Sequence, residues 1–101
     1  MIIKGFIVAV GQPREWSNNN GEKMQSTELT LAIPFVTRNG EERNDMLMGE
    51  MSFSNPDFLR VLQSTCEAHE KCEFQVGFYL SDWNGKKIQN IRVHNMTKVM
   101  M

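Results

Sequence analysis

Residues 74–93 read FQVGFYLSDWNGKKIQNIRV, and this stretch decides the fold. Apolar side chains alternate along residues 74–80 and return along residues 88–93. Between the two runs lies the pair Asn84-Gly85, whose residues readily adopt the positive φ angles of a two-residue hairpin turn. The stretch therefore predicts two antiparallel strands joined by a tight turn.

The turn of this predicted hairpin carries an aromatic side chain beside two cations. Trp83 precedes the turn, and Lys86 and Lys87 follow it. A hairpin tip needs no core residue, so we expect the indole ring to be exposed. An exposed ring next to cations is suited to stack a nucleic-acid base and to hold a phosphate. The alternative is a ring that folds over the end of the protein as a hydrophobic lid.

The sequence before the hairpin predicts three strands. Alternating or continuous apolar side chains indicate strands over residues 2–10, 24–36 and 45–54. Between the first two strands, residues 11–23 are polar and rich in asparagine, which is typical of a loop.

One helix is predicted between the third strand and the hairpin. Asn55 is a suitable N-cap, Pro56 fits the first helical position, and apolar side chains then recur at helical spacing until about Lys71. The order of elements is three strands, one helix and two strands. This order predicts an all-β fold with one helix, a five-stranded OB-fold barrel whose helix lies between strands 3 and 4, in a single domain over residues 1–101.

Composition and charge limit the possible functions. The chain has 101 residues and a formal net charge of −1, which argues against binding by bulk positive charge. Residues 41–73 carry a net charge of −5 and residues 74–101 a net charge of +3, so a local basic region remains possible. The chain has no apolar run of about 18 residues and no signal-peptide pattern at its start, so we expect a cytoplasmic protein without a membrane segment.

From residue 55 onward the sequence resembles the bacterial single-stranded DNA-binding protein family. The shared features are the helix, a strand containing VGFYL at residues 76–80, then Trp83, an Asn-Gly turn, two lysines and a closing strand. It is also similar to short bacterial proteins of the same barrel that keep the Trp-Asn-Gly motif. The resemblance implies that Trp83 stacks on DNA and that the protein is a homodimer or homotetramer. We therefore expect this protein to be a short, divergent member of the family. The housekeeping proteins of the family recruit partners through a flexible acidic C-terminal tail, and the sequence shows no such tail.

The resemblance also implies aromatic contacts at the end of the second strand and on the third. The nearest residues here are Phe35 and Phe53, where the family usually has tryptophan. On alternation alone, Phe35 follows Leu29, Leu31 and Ile33 into the core.

A second aromatic with basic neighbours lies in the predicted loop. Trp16 is accompanied by Arg14 and Lys23, and this loop flanks the ligand groove in OB-folds. The alternative is an anchor that ties the loop to the barrel. The residues expected to hold phosphates are Arg14, Lys23, Lys86, Lys87 and Arg92, although a solvated charged face is the simpler explanation for each of them.

The leading hypothesis is sequence-tolerant binding of single-stranded DNA or RNA, without a cofactor. A second hypothesis is a protein-binding OB module that uses the aromatic loops and the methionine-rich third strand, which contains Met46, Met48 and Met51. The acidic middle of the chain favours this second hypothesis, and a barrel that binds an oligosaccharide or small ligand is a third.

Catalytic and metal-binding patterns are weak. No nucleophile–base spacing indicates an enzyme. The spacing Cys66-x2-His69-x2-Cys72 is similar to a metal-binding pattern, but a fourth ligand is not apparent. Packing of the helix explains these residues better.

Overall fold

The structure is a computed structural model that describes residues 1–99. The prediction that the acidic tail is missing concerns the last residues of the sequence, and two of these, Met100 and Met101, lie outside the described residues. The fold is mostly β, with 65% of the residues in strands and one helix. The elements in chain order are β1 (Ile2–Val10), β2 (Arg14–Ser17), β3 (Lys23–Val36), β4 (Glu42–Phe53), α1 (Phe58–Glu67), β5 (Cys72–Trp83) and β6 (Lys86–Lys98).

Five of the six strands form a closed ring. The neighbours in the sheet are β1, β5, β6, β4 and β3, and a further pairing of β3 with β1 closes the ring. All pairings are antiparallel except that of β4 with β6, where Glu50 is in register with Arg92. The five strands predicted from the sequence are present and make up this ring.

The sixth strand, β2, corrects the prediction of a loop over residues 11–23. It pairs with the start of β3, with Arg14 opposite Ser26 and Ser17 opposite Lys23. The asparagine-rich segment is the turn of this hairpin, because Asn18 Oδ1 accepts backbone hydrogen bonds from Asn20 and Glu22. A short polar strand without apolar alternation gives no periodic signal, which is why the sequence did not reveal it.

The helix begins later and lies elsewhere in the strand order than predicted. Because β2 is a strand, α1 lies between β4 and β5 rather than between strands 3 and 4. It begins at Phe58, since Asn55 forms a turn in which its Oδ1 accepts the backbone N–H of Asp57 and its carbonyl oxygen accepts that of Phe58. The helix therefore starts one turn after the predicted N-cap, and it ends at Glu67 instead of near Lys71.

The hydrophobic core lies inside the ring and is covered by α1. Leu62 is the fully buried apolar residue of the helix, and Thr65 beside it donates a 2.7 Å hydrogen bond to the Val61 carbonyl oxygen. The main core side chains are Ile7, Leu29, Leu31, Met51, Phe53, Leu62, Cys72, Phe74, Val76 and Val93. Burial of this set supplies the principal driving force for folding.

Two long hairpins extend beyond this core. The β3–β4 ladder continues to the pair of Val36 with Glu42, and the β5–β6 ladder continues to the pair of Trp83 with Lys86. Apolar side chains along both extensions are exposed, Leu80 among them. The two extensions therefore present exposed aromatic and aliphatic side chains.

Candidate functional site

The open side of β3 and β4 forms one surface that we call the outer face. Side chains alternate along these strands, so that Leu29 and Leu31 enter the core and their neighbours point the other way. The register places these outward residues opposite each other in three cross-strand pairs. The outer face consists of the pairs Ser26–Ser52, Glu28–Glu50 and Thr30–Met48.

Trp16 is fixed on the outer face by a hydrogen-bonded chain. Its indole Nε1 donates to Ser26 Oγ at 2.7 Å, and Ser26 Oγ lies 2.8 Å from Ser52 Oγ. The side chain remains 38% exposed. The sequence left open whether Trp16 is an anchor or a stacking platform. The hydrogen bond identifies an anchor, and the exposure leaves ring surface that a ligand can contact.

The basic residues near Trp16 have different surroundings. Arg14 Nη2 lies 3.4 Å from Glu50 Oε1, so this guanidinium is partly neutralised on the outer face. Lys23 is exposed at the start of β3, in register with Ser17. Arg14 is therefore placed beside Trp16 on the outer face, whereas Lys23 lies at the far end of the short hairpin.

The β5–β6 hairpin has the turn that the sequence predicted. Asn84 and Gly85 have φ angles of 51° and 77°, which places both in the left-handed region that a two-residue turn requires. Trp83 and Lys86 are in register across the turn, and the indole is 69% exposed. Lys87 is exposed opposite Asp82. The indole is therefore not folded over the protein as a lid.

Tyr79 is a further candidate site residue, one that the sequence pattern did not indicate. The guanidinium carbon of Arg92 lies 4.5 Å from the centroid of the Tyr79 ring, which is a cation–π contact. Tyr79 shares its strand alternation with Trp83, so both rings lie on the same side of the hairpin. That alternation was the available signal, but the contact with Arg92 depends on the register of β5 with β6.

A cavity joins this side of the hairpin to the outer face. It has a volume of about 220 Å³ and lies where β6 separates from β4. Its lining residues are Glu28, Met48, Gly49, Glu50, Tyr79, Gln89, Asn90 and Ile91. The aromatic hairpin and the outer face are therefore parts of one surface.

Gly49 permits the close approach of β4 and β6 below this cavity. A Cβ atom built on Gly49 would lie 3.1 Å from methyl groups of both Ile91 and Val93. A larger residue would require the Ile91 and Val93 side chains, or β6 with them, to move by a few tenths of an ångström. The absence of a side chain at this position thus helps to set the position of the cavity and the hairpin.

The two phenylalanines suggested by the resemblance lie elsewhere. Phe53 is 8% exposed, and its ring centroid lies 5.5 Å from that of Phe58, so the ring belongs to the core. Phe35 is 39% exposed, because the β3–β4 hairpin extends past the ring there. The expectation from alternation that Phe35 is a core residue is therefore wrong. Both residues have the alternation of Leu29, on the opposite side of the strands from the outer face.

The electrostatics of the surface are mixed. Glu28 and Glu50 are directly opposite each other on the outer face, and Arg14 and Arg92 lie on either side of Glu50. The hairpin tip adds two lysines and one aspartate. The positive charge is therefore concentrated at the hairpin and beside Trp16, with two carboxylates between them.

The cysteines do not form a metal centre within residues 1–99, where no group of three or more potential ligands is close enough to hold a metal ion. Cys66 and Cys72 are free thiols. Burial raises the pKa of the Cys72 thiol, and the nearby Glu70 carboxylate raises it further, against an opposing effect of Lys98.

No helix within residues 1–99 has the length and apolar character needed to cross a membrane.

Known proteins resemble this chain in structure. No protein-family model matches it, and no curated protein matches it by sequence. The Plasmodium falciparum SSB in complex with ssDNA matches with a TM-score of 0.54 and 9% identity, over 99% of this chain and 93% of that chain. The small single-stranded DNA-binding protein from Streptomyces coelicolor matches with a TM-score of 0.51 and 7% identity, over the same shares of the two chains. At such identity the likeness establishes the fold, which is that of single-stranded DNA-binding proteins, and the predicted resemblance is confirmed at that level.

Proposed function

We propose that this protein binds single-stranded nucleic acid, and single-stranded DNA in the first instance. The observation that carries the proposal is the exposed indole of Trp83, which is in register with Lys86 at the tip of a hairpin that opens onto the outer face. Base stacking on aromatic side chains combined with cations for the backbone is the usual basis of sequence-tolerant binding. OB-folds bind oligonucleotides on the corresponding strands and loops.

The mechanism assigns stacking and phosphate contacts to different residues. Bases stack on Trp83 at the hairpin tip, on Tyr79 along the hairpin and on the accessible part of Trp16. The phosphates are held by Arg14, Lys23, Lys86, Lys87 and Arg92. Phe53 is left out because it is part of the core, and Phe35 is left out because it lies on the other side of β3. Binding, and not catalysis, is the proposed activity.

The fold likeness supports the same ligand. The two similar structures described above are named as an SSB in complex with ssDNA and as a single-stranded DNA-binding protein. RNA is the alternative ligand, and competition between DNA and RNA strands of one sequence would distinguish them.

We also propose that the protein is a homodimer or homotetramer. One small domain offers a short binding track, and a second copy would lengthen it. Ile2 and Val8 are exposed apolar residues of β1 in the isolated chain, which supports an assembly that covers them. Light scattering at several concentrations tests this, and a strictly monomeric mass would contradict it.

Tryptophan fluorescence tests the binding proposal. The Trp16→Phe variant would be titrated with a mixed-sequence oligonucleotide of about 16 nucleotides, so that Trp83 alone reports. Stacking predicts quenching at low salt that added salt reverses. The absence of both quenching and a mobility shift at low salt would overturn the proposal.

A protein ligand is the second candidate, and the exposed methionines favour it. Met46 and Met48 are 59% and 55% exposed on β4, and methionine side chains adapt well to protein partners. Substitution of Met46 by threonine, which leaves the cavity lined by Met48 intact, would leave DNA binding unchanged if Met46 serves a protein partner alone.

A further inference from the structure

We propose that the cavity between the outer face and the hairpin selects bases that carry an amino group, with cytosine favoured over uracil or thymine. This inference rests on the proposed function, because it assigns a base preference to one position of that binding surface. The residues that carry it are Glu28 and Asn90, which line the same cavity as Tyr79.

The orientation of the Asn90 amide follows from its partners. Nδ2 lies 2.8 Å from Ser81 Oγ and 3.2 Å from the Ile88 carbonyl oxygen. A carbonyl oxygen can only accept a hydrogen bond, so the atom facing Ile88 is the nitrogen. Both amide hydrogens are thereby used, and within residues 1–99 no donor is bonded to Oδ1. Asn90, a lining residue of the cavity, therefore has Oδ1 as an acceptor for a ligand.

Glu28 offers a second acceptor, and it carries a full charge. It lies opposite Glu50, but Glu50 interacts with Arg14 at 3.4 Å, whereas no ion pair joins Glu28 to another side chain within residues 1–99. An ionised carboxylate accepts hydrogen bonds and donates none. The fixed polar groups of the cavity are thus acceptors, while Gln89 and the Tyr79 hydroxyl can either donate or accept.

The dimensions and lining of the cavity suit one base. Its volume of about 220 Å³ corresponds to the liquid volume of about seven water molecules. Tyr79, whose ring carries the Arg92 guanidinium on one face, is the aromatic residue of the lining, and Met48 and Ile91 are its apolar residues. A base that enters with its edge toward Glu28 and Asn90 must present donors there.

The bases differ in the groups that they can present. Cytosine carries an amino group at C4, and a carboxylate is a known partner for that group. Uracil and thymine carry a carbonyl oxygen at the same position and a single donor, N3–H, beside it, so they supply one hydrogen to the two acceptors, whereas the cytosine amino group supplies two. Glu28 is exposed in the free protein, and a carbonyl oxygen that displaces water from it in the complex replaces a hydrogen bond by a contact between two acceptors. The cavity therefore favours cytosine through an attraction and disfavours uracil through a repulsion.

The test compares oligo-dC with oligo-dU, because the two strands lack the thymine methyl group and differ at the Watson–Crick edge. Titrations at mildly alkaline pH keep cytosine neutral and prevent pairing between cytosines. We expect the wild-type protein to bind oligo-dC about fivefold or more tightly than oligo-dU, the ratio that one charge-assisted hydrogen bond supports. Glu28→Gln keeps the shape but replaces one acceptor by a donor, so the affinity for oligo-dU should rise relative to that for oligo-dC and their ratio should fall below about twofold.

A matched control separates this effect from a change of net charge. Glu67→Gln removes the same charge from the exposed surface of α1, and the preference for oligo-dC should persist. If wild type binds both strands equally or prefers oligo-dU, the inference is overturned while the proposed function stands. A preference that survives Glu28→Gln overturns the role of Glu28. If neither strand binds, the proposed function itself fails.

Discussion

The indole Nε1 of Trp16 donates a 2.7 Å hydrogen bond to Oγ of Ser26. The two residues belong to neighbouring strands, and Ser26 is 3% exposed. Ser26 Oγ also contacts Ser52 Oγ, so one buried hydroxyl connects β2, β3 and β4. The position of Trp16 on the outer face is therefore set by a hydrogen bond and not by apolar packing alone.

Removal of this hydroxyl should loosen β2 and destabilise the fold. For Ser26→Ala we expect a loss of about 1–2 kcal/mol in the free energy of unfolding, because the Trp16 N–H and the Ser52 hydroxyl both lose a partner. Urea denaturation measures this loss. Ser17→Ala, an exposed position at the end of β2, serves as the control and should change the stability by less than about 0.5 kcal/mol. Equal stability of both variants would contradict the role of Ser26.

Trp83 should matter for binding and hardly at all for stability. The side chain is exposed at the hairpin tip, so Trp83→Ala should leave the urea midpoint nearly unchanged. The same variant should weaken single-strand binding by about 1–3 kcal/mol, which is the usual contribution of one stacked base. Trp83→Phe keeps a ring and should recover much of the affinity. An alanine variant with full affinity would show that Trp83 does not stack.

Lys86 and Lys87 should contribute to the salt dependence of binding. A plot of log affinity against log salt concentration has a negative slope. For single strands, each phosphate contact that is lost makes this slope less negative by about 0.7. Lys86→Gln and Lys87→Gln should each produce this change in fluorescence titrations at several salt concentrations. Lys71→Gln is the matched control, since Lys71 precedes β5 at the opposite end from the hairpin tip. A slope that changes as much in the control would point to general charge effects.

Gly49→Ala should disturb the hairpin through its base. The added methyl group would lie 3.1 Å from methyl groups of Ile91 and Val93, which is closer than ordinary packing allows. We expect about 1–3 kcal/mol of destabilisation from overpacking, together with weaker binding, because the hairpin shifts relative to the outer face. Val93→Ala alongside Gly49→Ala removes one of the two close methyl contacts and should recover part of the lost binding. If the double variant binds no better than Gly49→Ala alone, the contact with Val93 is not the cause.

Cys72 should resist alkylation until the protein unfolds. Burial is the main reason that the pKa of its thiol is raised, so the thiolate is scarcer at mildly alkaline pH than in a free cysteine. Iodoacetamide labelling of a Cys66→Ser variant, followed by mass spectrometry with and without denaturant, measures this directly. Rapid labelling of the folded protein would contradict it.

The same pKa shift links Cys72 to the pH dependence of stability. A folded-state pKa above the unfolded value stabilises the protein at neutral pH, and this contribution is lost as pH rises through the folded-state pKa. Above the ordinary thiol pKa, the free energy of unfolding of Cys66→Ser should therefore fall more steeply with pH than that of Cys66→Ser/Cys72→Ala.

The parts of the fold that the sequence predicted are those with a local signal. Asn84 and Gly85 define the turn by their own backbone preferences, so the register of Trp83 with Lys86 followed directly from the predicted hairpin. The short strand β2 was missed because Arg14–Ser17 shows no apolar alternation, and its pairing depends on the turn that Asn18 makes.

The parts of the site that the sequence did not predict depend on contacts between strands. Alternation placed Phe35 on the core side correctly, but alternation does not tell how far a hairpin extends past the core. The contact of Arg92 with Tyr79 lies on the turn side of the register shift between Gln75 and Val76, so the predicted turn already makes the two residues diagonal neighbours. Only the side-chain conformations bring the guanidinium over the ring, and the sequence does not give them. The shift itself is a bulge, which leaves no clear pattern in a single sequence.

The parallel pairing of Glu50 with Arg92 has a consequence for how the molecule opens. It joins β4 to β6, whereas the neighbouring ladder of β3 with β4 runs from Gln25–Phe53 to Val36–Glu42. Local opening costs least where few backbone hydrogen bonds must break. The seam between β4 and β6, with its single paired position, is therefore where we expect the ring to open first, with the β5–β6 hairpin turning about it. If Trp83 holds a nucleic-acid strand as proposed, that strand would pull on the seam, and the free energy of opening it would set how far the hairpin can follow its ligand.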